Sequence, residues 1–108
     1  MRSKHLSLAD ETALSRSWTH AHEQDSGGRL VFRPSESDFP PARGRRSIDL
    51  RPDGTLLVEE PGADDRPVTR AGRWRLEGEA LTLSVEGRGE ERFEVEAVDQ
   101  HQLVLRRA

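Results

Sequence analysis

Between Leu14 and Leu105 the apolar residues fall at every second position, in short runs separated by turn-forming clusters. Leu14, Trp18, His20 and His22 share one parity, with Ser17, Thr19 and Glu23 on the other. Leu30 and Phe32 alternate with Arg29 and Arg33, and Ile48 and Leu50 with Ser47, Asp49 and Arg51. Leu56 and Val58 follow an Asp53-Gly54 pair, the usual composition of a tight turn. Val68, Gly72, Trp74 and Leu76 then share a face, as do Leu81, Leu83 and Val85, then Phe93, Val95 and Ala97, and finally Leu103 and Leu105. A period of two places successive side chains on opposite faces of a strand. The pattern therefore predicts about eight strands, each with one apolar face.

Strands joined mainly by short turns form antiparallel meanders. An open meander leaves two unpaired edges, and closure removes both. The expected fold is all-β: a single antiparallel up-and-down β-barrel of about eight strands over residues 14–108. Residues 1–13 form a polar N-terminal segment in which Ser7 is placed to cap a short helical turn through Leu8–Leu14, with Asp10 at the capping-box position. Eight strands enclose a space that side chains fill or that holds one small ligand. The long interruption, Arg33 to Arg46, carries three of the six prolines and a lone Phe39. Pro40-Pro41 stiffens it toward extended geometry. It is expected to cross the open end of the barrel as a lid.

Composition narrows the function classes. The chain has 108 residues, 34% of them charged, and a net charge of −3. Acids interleave the arginines, so no nucleic-acid footprint is expected. The absence of cysteine excludes thiol catalysis and thiolate metal sites. Neither a leader nor a long apolar run is visible, so the expectation is a cytoplasmic chain with no membrane partner. Oligomeric state is not readable from the pattern.

The chemistry-bearing stretch is "SWTHAHEQD", Ser17 to Asp25. On a strand, His20 and His22 stand roughly 6.5–7 Å apart on one face. A zinc site needs three or four ligands, and Glu23 directly follows His22 rather than standing several residues on, as in a cupin; no metal and no cofactor are expected. Inward imidazoles among apolar residues instead orient a ligand through one directed hydrogen bond. In "ARGRR", Arg43, Arg45 and Arg46 read either as a clamp for a carboxylate or phosphate at the barrel mouth or, as charge runs usually do, as a solvated loop paired with Glu36, Asp38 or the acids of "EEPGADD".

The stretches "GRWRLEGEALTL" and "RFEVEAVDQHQLVL", with "FPPARGR" and "WTHAHEQD", resemble small bacterial lipocalin-like (calycin-type) barrels. The resemblance implies a ligand-binding barrel. It also implies that Trp18 is the tryptophan of the family's Gly-x-Trp, packed under a basic residue, Arg106 or Arg107, from the end of the barrel; Arg16 stands where that motif has glycine. The leading expectation is thus a barrel binding a small hydrophobic or amphipathic molecule. Trp18, His20, His22, Phe32, Phe39 and Trp74 line the site, and Arg43 and Arg45 meet any acidic group. Two other readings fit the residues: a barrel enzyme (isomerase, cyclase or hydratase) using His20 or His22 as general base, and an interaction module with a filled barrel.

Overall fold

The computed structural model of the protein describes residues 11–41, 44–63 and 66–108. One helical turn, α1 (Glu11–Leu14), precedes eight strands: β1 (Ser17–His20), β2 (Arg29–Pro34), β3 (Ser47–Leu50), β4 (Thr55–Pro61), β5 (Pro67–Glu77), β6 (Ala80–Val85), β7 (Gly89–Val98) and β8 (Leu103–Arg107). They close into one antiparallel barrel. Every strand contains an alternating run picked out above. The described part of the expected helical turn is Glu11–Leu14; Ser7, Leu8 and Asp10 lie outside the described residues.

The order around the barrel is β1-β2-β8-β7-β6-β5-β4-β3. Neighbours in sequence are neighbours in space except at one step: β1 lies between β2 and β3. Both flank β1 antiparallel, so β2 and β3 run in the same direction. The connecting segment, residues 35–46, must therefore travel back along β1. Its described residues, 35–41 and 44–46, do so on the outer face. Ser35 donates its backbone N–H to the Ser17 carbonyl, and the Thr19 hydroxyl lies 2.8 Å from those of both Ser35 and Ser47. Thr19 points outward yet is buried, its hydroxyl held between those of Ser35 and Ser47. The expected lid over the open end is corrected accordingly: a parallel return over β1 uses the length of the segment along the barrel wall.

The inward side chains form one apolar cluster that includes Leu14, Trp18, Ile48, Leu56, Leu83, Phe93 and Leu105. Leu14, Trp18, Val58, Leu81, Leu103 and Leu105 are fully buried in it. Both indoles satisfy their N–H: Trp18 donates to the Leu14 carbonyl at 3.1 Å and Trp74 to the Arg51 carbonyl at 2.8 Å. These contacts tie α1 and the β3–β4 turn to the same end of the barrel, where Leu50 also donates its N–H to Arg16.

Two local departures from strict alternation have physical causes. The expected inward Ala97 is displaced by a bulge between Val95 and Ala97, which brings Val98 into the core. Beyond His20 the chain leaves the sheet for a 3₁₀ turn, His22–Gln24, so His22 is exposed rather than inward. The barrel also needs Gly72. A Cβ there would collide with the Ser84 carbonyl oxygen of the neighbouring strand.

Candidate functional site

One end of the barrel is closed by α1 and the turns after β3, β5 and β7. The other end gathers the start of β2, the entry to β3, the turns after β4 and β6, and the end of β8. His20 stands at this second end, the last residue of β1. Its ring stacks on Phe32 of β2, with centroids 4.9 Å apart. Its Nε2 lies 2.9 and 3.1 Å from the two carboxylate oxygens of Asp25. Asp25 is fixed in turn by accepting the Val31 backbone N–H at 2.9 Å. A carboxylate held by the backbone thus orients the imidazole. His22 meets the His20 ring edge-on at 6.1 Å.

Beside Asp25 lies an open groove of about 630 Å³. Asp25, the Ser26–Gly28 turn, Leu30, Arg106 and Arg107 line it. Gly27 and Gly28 take φ values of 58° and 81°, the left-handed conformations of a two-residue hairpin turn. This turn lets β2 double back so that Leu30 faces the groove's edge of the core. Arg106 is committed to Glu96, which also accepts from Arg29; the two guanidinium hydrogen bonds, that of Arg106 foremost, hold the Glu96 carboxyl below its usual range.

Arg45, expected at the mouth, belongs to the outer wall. Its guanidinium forms a two-pronged pair with Glu23, donates to the carbonyls of His20 and Pro40, and lies 4.9 Å over the Phe39 ring. Arg45 and Phe39 therefore pin the return segment to the 3₁₀ turn. Arg43 lies outside the described residues. Trp18 is wholly inside the core and Trp74 sits toward the opposite end, bonded to the β3–β4 turn. Of the expected site residues, the structure brings together His20, Phe32 and, through contact with His20, His22; Arg45 reaches only the His20 backbone. The basic group over Trp18 is Arg16, at 5.1 Å, whereas Arg107 lies over Phe93 at 5.3 Å. The pairing of Trp18 with Arg106 or Arg107 that the resemblance implied is corrected: β8 ends beside β7 and β2, not over β1.

Five inward or inward-reaching charges at the His20 end were not singled out from the sequence: Glu60, Arg70, Arg88, Glu91 and, as a site residue, Arg107. The signal was present. Glu60 shares the parity of Leu56 and Val58, Arg70 that of Gly72 and Trp74, Glu91 that of Phe93, and Arg107 that of Leu105. Charged residues on a core parity, gathered at one end of several strands, mark a polar barrel mouth. Among the described residues no three His, Asp or Glu side chains converge as a metal site. No helix among them is long and apolar enough to cross a membrane. Comparison with protein-family models, curated proteins and solved structures returned no match.

Proposed function

We propose that the protein is a small-molecule-binding barrel of lipocalin-like type whose ligand lies at the polar end rather than deep in the interior. The observation that supports this reading is the groove between Asp25, Leu30 and Arg107, next to the oriented His20. Its volume is within the range of about 300–1,000 Å³ common for small-ligand sites. The packed apolar core favours that groove and the barrel end over the interior as the place for a ligand. Leu30 and the aliphatic stems of Arg106 and Arg107 offer an apolar wall. The Asp25–His20 pair offers a directed polar group. A small amphipathic molecule matches both.

A neutral fluorescent probe, N-phenyl-1-naphthylamine, tests this. The expected result is saturable binding, weakened roughly tenfold or more by Leu30→Glu, which sets a charge on the apolar wall. Glu77→Gln, an exposed change at the opposite end of the barrel, leaves the affinity unchanged. Absence of saturable binding, or indifference to Leu30→Glu, contradicts the proposal.

A second reading draws on the Asp25–His20 geometry, in which a carboxylate orients an imidazole as in general-base sites. It requires turnover that Asp25→Asn reduces through a changed pH–rate profile.

A further inference from the structure

The inward face changes character at the groove end. Arg46, Glu60, Arg70, Glu91 and Arg107 occupy the core-facing positions two residues outward from Ile48, Val58, Gly72, Phe93 and Leu105. Arg88 reaches in from the turn after β6. Glu60 accepts a hydrogen bond from Arg88 at 2.5 Å and lies 3.7 Å from Arg46 Nε and 3.6 Å from Arg70 Nε. Glu91 accepts from both terminal nitrogens of Arg46 and lies 3.8 Å from Arg107 Nη1. Among the described residues, then, four guanidinium groups share two carboxylates. The Nε atoms of Arg46 and Arg70 are buried and face Glu60 as ion pairs slightly longer than a hydrogen bond.

A structural plug of ion pairs is best when each charge is matched and each donor is met; an apolar plug of similar volume often serves stability as well or better. Among the described residues cations here exceed anions, and the Glu60 carboxylate is shared by three guanidinium groups. A partner that meets this excess is an anion with several oxygens. Arginine is the residue that meets such groups with paired, charge-assisted hydrogen bonds. Arg107 extends the cluster into the groove, because it lines that groove while standing within 4 Å of Glu91.

We propose that this cluster binds a small oxyanion, a carboxylate or phosphate, with Arg46, Arg70 and Arg107 as its donors and Glu60 as the internal carboxylate that competes with the ligand for them. The inference rests on reading the groove as a ligand site, and it specifies the ligand's acidic group.

Calorimetric titration of the full chain at low ionic strength, with inorganic phosphate, octanoate and 1-octanol, tests it. Octanoate binding more tightly than 1-octanol supports the proposal and assigns the acidic group to an amphiphile. Phosphate binding with octanoate no tighter than 1-octanol supports it with a free oxyanion as the source. In either case Arg70→Gln weakens the anion roughly tenfold, and Glu60→Gln, which releases the guanidiniums from their shared acceptor, strengthens it. If Arg70→Gln fails to fold, Glu60→Gln decides: unchanged or weaker anion binding overturns the proposal. Equal binding of octanoate and 1-octanol with phosphate silent also overturns it, and leaves the groove reading standing. If none of the three ligands binds, the oxyanion site is overturned, and the neutral probe described above decides separately whether the groove reading falls with it.

Discussion

Arg45 fixes the return segment to the barrel through several contacts at once. It is nearly buried, at 9% side-chain exposure, and meets Glu23, two carbonyls and the Phe39 ring. The hydrogen bond from Arg45 is the main reason the Glu23 carboxyl is lowered to about 2, with the turn's own backbone N–H adding to it. A carboxyl depressed in the folded state stabilises the fold above its ordinary pKa of 4.5 and loses that contribution as pH falls toward about 2. Acid denaturation of wild type against Glu23→Gln checks this. The wild type loses more stability than the variant between about pH 4.5 and 2; superimposable pH profiles would mean that the pair contributes nothing. At this scale the sequence was partly legible. His20 is inward as its parity requires, because β1 still pairs with β2 there. His22 is not, because the strand has ended, and nothing in "HAHEQD" itself marks where pairing stops.

Strand existence was legible at the scale of elements because burial of one face writes itself as alternation. Strand order was not. Parity says which face a residue takes but not which strand lies beside it, so the return of residues 35–46 over β1 left no mark in the pattern. Its hydroxyl contacts, Ser17–Ser35 and Thr19 with Ser35 and Ser47, read in sequence as ordinary outward polar residues. The bulge in β7 is of the same kind: the alternation of Phe93, Val95 and Ala97 continues through it on paper, while the backbone inserts one residue. Gly72 was legible only as a member of a face. Its role is the close approach of β5 to β6 beside Trp74. Gly72→Ala is therefore expected to destabilise the protein by about 1–3 kcal/mol, through displacement of the two strands. Chemical denaturation measures this, and a variant with an unchanged midpoint would remove the steric argument.

At the scale of the whole molecule, the barrel divides into a packed apolar body, an end closed by α1 and Trp74's turn, and an end rimmed with arginine and glutamate. The body was legible in the sequence, down to the parity of its largest residues. The polar end was not assembled, because its members come from five strands or their flanks and each reads singly as a solvated charge. The candidate site near His20 was half found for the same reason: Arg46 was noted in its loop, while Glu60 and Arg70 become its neighbours through the register of β3, β4 and β5, and Glu91 through closure of the sheet. The account's central claim is that ligand chemistry resides at this end and not in the core or at the α1 end. An NMR titration that resolves individual backbone amides, with octanoate added to the full chain, tests it most directly. The account predicts shifts concentrated at residues 25–30 and around Arg46, Glu60, Arg70, Glu91 and Arg107. Shifts centred instead on Leu14, Trp74 and the turn at Arg51–Gly54, or no shifts at the arginine-rimmed end, would contradict it.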